Sequence, residues 1–189
     1  VRDNAKISNI IFKDVDIRAS SSGASVLAHS IGAYVGANII IEKVGVTGRV
    51  QAGEYGHVAT FITEISTAGG ASSKVTFNNC YSRCDLYHVS GGVQRWDGAG
   101  FATCSSGQYA IVNNCYWSGT SNITNRTSSI IAWNSIDNNN NLQTTSTISV
   151  NNSYYDKQKF PLNINKTTSG TGLTTEQMKT QESYVGWDF

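Results

Sequence analysis

The sequence predicts an all-β protein, a right-handed parallel β-helix, and three observations point there. A motif recurs at intervals of about 35 residues; apolar runs are short and rich in Val and Ile; and Gly, Ser, Thr and Asn interrupt them too often for long helices. The repeat predicts about five coils of 34–38 residues over 1–160, followed by a C-terminal cap segment over 161–189.

The coils are visible when five segments are written one under another: Ile7-Ser-Asn-Ile10, Ile41-Glu-Lys-Val44, Phe77-Asn-Asn-Cys80, Val112-Asn-Asn-Cys115 and Val150-Asn-Asn-Ser153. Their first residues are 34, 36, 35 and 38 positions apart. Two residues upstream stand Ala5, Ile39, Val75, Ala110 and Ile148; five downstream stand Phe12, Val46, Ser82, Trp117 and Tyr155. Apolar residues thus alternate, pause for two polar positions, and alternate again. A strand, a two-residue corner and a second strand produce this pattern. Asn9, Asn79, Asn114 and Asn152 occupy the second corner position, where Asn tolerates the left-handed backbone of a tight bend. Stacked corners would let these amides bond to one another along the axis.

A second register lies between these anchors. Leu27-Ala-His-Ser30, Val58-Ala-Thr-Phe61, Phe101-Ala-Thr-Cys104 and Ile131-Ala-Trp-Asn134 each place Ala after a large apolar residue. Their Ala residues fall 21, 18, 25 and 20 positions after the first anchors, which predicts loops of unequal length. The longest corner loops are expected around 48–56, 82–98 and 118–128. A β-propeller or a sandwich of hairpins is the competing architecture, but Asp97-Gly98 is the only hairpin dipeptide of the Asn-Gly or Asp-Gly type.

After the coils, Thr174-Thr-Glu-Gln177 reads as a capping box and predicts a short helix over about 175–181. Leu173, Met178, Tyr184 and Trp187 would pack it on the last coil, because a β-helix end exposes strand edges and apolar core. No comparable cap precedes Ile7. The sequence therefore predicts either a fragment of a larger protein or a unit that joins head to tail.

The coil motif with Asn-Asn-Cys-Tyr (77–81 and 112–116) resembles the GLUG-type repeats of large bacterial surface proteins. The ending is similar too: Asn152-Ser-Tyr-Tyr-Asp156, Gly172-Leu-Thr-Thr-Glu-Gln-Met-Lys179 and Gly186-Trp-Asp-Phe189 follow in order. In place of the family's Gly-Leu-x-Gly core this chain has Ala28, Ala59, Ala102 and Ala132 at the small-residue position. The resemblance implies a parallel β-helix, a secreted or cell-surface location and an adhesive or stalk role, and it brings no catalytic residues.

Composition bounds the chemistry. Only 14% of the 189 residues are charged and the net charge is +1. That gives no electrostatic case for nucleic acid or an anionic membrane, and no apolar run reaches the ~18 residues of a membrane span. Ser and Thr number 41 and Asn 18, so uncharged groups carry the polarity, as in secreted β-rich proteins. Cys80 and Cys115 share a column, which would suit either a disulfide or two stacked buried thiols. Cys84 and Cys104 form a less constrained pair. A glycosidase needs two carboxylates about 5–10 Å apart. Asp85, Asp97 and Glu54 are the candidates, with Tyr87 and Trp96 to stack on a sugar and Arg95 beside them. The plainer reading makes these ordinary loop residues, and His29, His57 and His88 share no column.

The function expected is a non-catalytic structural or adhesive module with no metal or cofactor. Its partners are expected to be itself, head to tail, or host and carbohydrate surface ligands. A self-assembling fibre subunit and a carbohydrate-active enzyme are the alternatives.

Overall fold

The structure is a computed structural model and describes residues 4–32, 38–66, 74–89, 98–104, 109–123, 127–133, 147–160 and 170–187. Its strands are numbered β1 to β16 in chain order. The largest wall contains β1 (Ala5–Arg18), β3 (Asn38–Ala52), β6 (Lys74–Asn78), β7 (Tyr81–His88), β10 (Tyr109–Asn113), β11 (Tyr116–Trp117), β14 (Thr147–Asn151), β15 (Tyr154–Asp156) and β16 (Thr171–Leu173). A second wall is β4 (Val58–Ala59), β8 (Gly98–Ala99) and β12 (Thr127–Ser128). The third is β2 (Ala28–Gly32), β5 (Ile62–Ser66), β9 (Ala102–Cys104) and β13 (Ile131–Trp133).

Every pairing among these strands is parallel. The chain is therefore all-β, and its stacked strands form a β-solenoid of about three turns. The three-stranded second wall sets that number. More levels are stacked in the large wall: β1, β3, β6, β10 and β14 before its corner, and β1, β3, β7, β11, β15 and β16 after it.

The large wall bends at the corner that the repeat marks. Ile7, Ile41, Phe77, Val112 and Val150 are register partners, as are Ala5, Ile39, Val75, Ala110 and Ile148. At the bend Asn9, Lys43, Asn79, Asn114 and Asn152 all have positive φ, between 43° and 58°. In β1 and β3 the strand continues through this bend, which is why each is so long. The amide ladder runs chiefly at the first corner position. Asn113 Nδ2 donates to Asn78 Oδ1 and Asn151 Nδ2 to Asn113 Oδ1, both at 2.9 Å. At the second position Asn114 donates to Asn79 at 3.4 Å.

Past the bend, β1 carries one extra residue opposite Thr47, between Phe12 and Val15. Asp14 there has φ 52° and its N–H donates to Thr47 Oγ1. Gly48 (φ 124°) closes the bulge, because a Cβ would collide with the backbone of Val15.

Two expectations need correction. In the third wall, Leu27, Phe61, Phe101 and Ile130 form one column through successive coils, linked by backbone hydrogen bonds. Ala28, Ile62, Ala102 and Ile131 follow them in register. Val58-Ala59 belongs instead to the second wall, opposite Gly98-Ala99, and Ala132 lies opposite Thr103. Two neighbouring apolar-Ala pairs look alike in sequence, and packing of the large rings decides between them. Phe61 lies 4.8 Å from Phe101 and 5.7 Å from Phe77, ring to ring. The loops expected at 48–56 and 82–98 are strand up to Ala52 and His88. Their inward residues Val50, Ala52, Cys84 and Leu86 are fully buried, so hydrophobic burial keeps the chain in register there.

The expected helix over 175–181 is also absent. Two 3₁₀ turns, Gln177–Lys179 and Gln181–Ser183, take its place. The capping box itself forms: Thr174 N–H donates to Gln177 Oε1 at 2.9 Å and Gln177 N–H to Thr174 Oγ1 at 3.1 Å. Tyr184 then anchors the turn through Met178 O at 2.6 Å, and Trp187 Nε1 through Asn152 O at 2.7 Å. This tail adds β16 to the edge of the wall and folds back over its outer face. There Tyr154, Leu173 and Tyr184 make a second apolar cluster with Tyr116, Met178 and Trp187.

Candidate functional site

Strand alternation divides β7 into two faces. Ser82, Cys84, Leu86 and His88 are buried, while Tyr81, Arg83, Asp85 and Tyr87 point outward. The chain places chemistry on this outer face, in columns formed by the neighbouring coils.

Asp85 and Tyr87 sit two residues apart on that face, and Asp85 shares its register column with Arg49 and Asp16. Asp85 Oδ1 accepts from Thr120 N–H at 2.8 Å and Thr120 Oγ1–H at 2.7 Å, which ties β7 to the next coil. The Arg49 guanidinium lies 5.5 Å from the centre of the Tyr87 ring and reaches Asp16 at 3.5 Å. Trp96, Asp97 and Arg95 lie outside the described residues. Glu54 is exposed in the turn after β3.

Closer to the tail the same face becomes aromatic. Tyr81 and Tyr116 occupy one column and stack at 5.5 Å with 12° between their planes. Gly45 makes this possible, since it lies beneath Tyr81 in the register and a Cβ there would overlap the ring. Tyr154 is next in the column and meets Tyr184 and Trp187 at 5.2 and 6.3 Å. Arg83 lies along the stack, 5.8 and 5.9 Å from the Tyr81 and Tyr116 ring centres. Its Nε and Nη2 donate to Tyr116 Oη at 3.2 and 3.0 Å. That bond raises the guanidinium pKa, while burial raises that of the Tyr116 phenol and takes Tyr184 up to about 12. Tyr116 and Tyr184 are therefore neutral donors and acceptors at physiological pH.

Two adjoining hollows open between this face and the tail. One, of about 250 Å³, is lined by Arg83, Tyr116, Ser118, Asp156, Lys159 and Lys179, with Thr175 and Met178 closing it. The other, of about 260 Å³, is lined by Tyr116, Met178, Thr180, Gln181, Tyr184 and Trp187, with Lys179 between them. Asp156 is buried and its oxygens are occupied. Oδ1 accepts from the backbone N–H of Gln158 and Lys159 at 3.0 and 3.2 Å, and Thr175 Oγ1 donates to Oδ2 at 2.8 Å. The sequence singled out none of this groove as a site. Tyr81, Arg83 and Tyr116 are outward neighbours in its own alignment, but the tail that walls the groove is distant in sequence.

The cysteines lie in the interior. All four stand as free thiols and all are buried. Cys80 N–H donates to Cys115 Sγ at 3.3 Å, and Cys115 Sγ–H to Asn113 O at 3.1 Å. The bond with Cys115 holds the Cys80 pKa below the ordinary thiol value, while burial drives that of Cys115 well above it. Cys84 and Cys104 are pushed up to about 12, again by burial. Among the described residues no group of three His, Cys, Asp or Glu could hold a metal ion. No described helix is long and apolar enough to cross a membrane.

No family model, curated protein or solved structure matches the chain.

Proposed function

We propose that this chain is a non-catalytic structural or adhesive module of a secreted or cell-surface protein, built as a right-handed parallel β-helix of GLUG type. The observation that carries this reading is the outer face of the large wall. Side chains from successive coils form columns there, and the polar groups tie coil to coil. Thr120 occupies Asp85, Arg49 covers Tyr87, and the Asn ladder closes the corner. Side chains used in this way stiffen a scaffold and present a surface, whereas a hydrolase must hold its carboxylates open to substrate. The test is incubation of the protein with a panel of polysaccharides, with Asp85→Ala and Asp97→Ala beside it. No release of reducing ends is expected. Turnover that these substitutions abolish would make the chain a carbohydrate-active enzyme instead.

One further observation favours a fibre subunit as the second reading. Strand β1 has 14 residues and pairs only with β3 among the described strands, and it exposes Ile10 and Ile11. A long open edge is a template for another strand. Sedimentation across a wide concentration range tests this reading. Growth into long species supports it, and a monomer at every concentration rules it out.

A further inference from the structure

We infer that the paired hollows between the Tyr81–Tyr116 stack and the C-terminal tail bind a short acidic oligosaccharide, two hexopyranose units of which one carries a carboxylate or a sulfate. The inference rests on reading the chain as a binding module, and it assigns that module a place and a ligand class.

The charge at the site comes first. Arg83 has five N–H donors, and the pair on its Nε edge is taken by the Tyr116 hydroxyl. The Nη1/Nη2 edge is left, and among the described residues Arg83 makes no ion pair. Tyr116 thus holds the guanidinium in place without neutralising it. Lys159 reaches the same hollow with one bond, to Ser118 O at 3.0 Å, and Lys179 borders both hollows. Lys179 pairs with Glu176 on an exposed surface, where the pair contributes little. The carboxylate in the hollow, Asp156, already accepts from Thr175 and two backbone N–H groups. Three cations against two carboxylates, Asp156 with its oxygens occupied and the exposed Glu176, leave a positive balance that favours an anion, and a planar guanidinium edge suits carboxylate or sulfate oxygens.

Size and lining select the class of anion. Each hollow is smaller than the ~300 Å³ lower bound for a pocket that takes a drug-sized molecule, so each suits one ring. The walls are mixed. Tyr116, Met178, Tyr184 and Trp187 offer apolar surface for the C–H face of a pyranose. Ser118, Thr175, Thr180 and Gln181 offer hydroxyls and an amide for its rim. A bare phosphate would leave the apolar walls uncovered.

The test uses the full chain labelled with ¹⁵N and titrated with trigalacturonate, a sulfated disaccharide, neutral maltotriose and a hexaglutamate peptide. Either acidic sugar is expected to shift the resonances of Arg83, Tyr116, Met178 and Lys179, and the affinity should fall as salt is added. Which acid binds more tightly identifies the source of the charge. Arg83→Ala should weaken binding about tenfold or more, as loss of a charge-assisted hydrogen-bond pair does. Tyr116→Phe keeps the ring but releases the guanidinium, and should weaken binding by a smaller factor; both variants should still melt cooperatively, which shows that they are folded. The inference is overturned if neither acidic sugar shifts these residues, if maltotriose or hexaglutamate binds as well, or if Arg83→Ala binds undiminished. Failure of both acidic sugars to bind leaves the scaffold reading standing, whereas cleavage of a sugar would sink that reading itself.

Discussion

At position 43 the chain places lysine where four equivalent corners place asparagine, and the backbone there is still left-handed, with φ 52°. A side chain with a bulky Cβ substituent pays about 1–2 kcal/mol in that region, less for Asn. Lys43→Asn is therefore expected to stabilise the fold by about 0.5–1 kcal/mol, read as a higher urea midpoint with an unchanged slope. The buried thiols give a pH prediction. An unfolded chain ionises Cys84 and Cys104 once the pH passes their ordinary value of 9.0, whereas the folded chain keeps them protonated up to about 12. Their contribution is fully present below pH 9 and is lost as the pH rises from 9.0 towards about 12. Stability should fall across that window, and more steeply than in a Cys84→Ala/Cys104→Ala double variant. At pH 8 the native thiols should resist alkylation and react once the chain is unfolded.

Elements here are short, and most are held by what stacks above and below them. The second and third walls have strands of two to five residues, too few to persist alone. The phenylalanine cluster secures them, with Phe61, Phe77 and Phe101 fully buried and within 5.7 Å of one another, ring to ring. Phe101→Ala should cost about 3–5 kcal/mol, measured by denaturant unfolding. The first wall reads differently because its strands alternate cleanly and its corner repeats. That is why its register around the corner was legible from the sequence, although the strands that run on to Ala52 and His88 were read as loops. The third wall was legible only as an apolar-Ala motif, and there the Val58 segment was assigned to the wrong wall. Ring volume decided its register, and volume leaves no periodic trace.

Across the whole molecule, each coil rests on its neighbours, so stability should vary along the stack. The inward residues of β3 are fully buried, while Ile7, Phe12, Val15 and Ile17 of β1 are only partly so. Amide hydrogen exchange is expected to be slowest in β3, β6, β7 and β10, and faster in β1 and β14, each of which has an outer edge that no described strand pairs. Uniform protection along the stack would show that the solenoid opens as one unit.

The sequence by itself determined the class of fold, the register of the first wall around its corner and the left-handed corners. All three follow from local rules: alternation, spacing and the conformational tolerance of Asn. It also placed the capping box and the four aromatic and apolar residues that dock the tail. Only the tertiary structure decided that the tail turns as 3₁₀ segments and lies over the outer face of the wall. It alone brought Lys159 and Lys179 beside Arg83 and Tyr116. The physical reason is distance along the chain. A groove made where residues 175–187 meet the outer face of β7 and β11 depends on docking between surfaces, and no spacing within either segment encodes it.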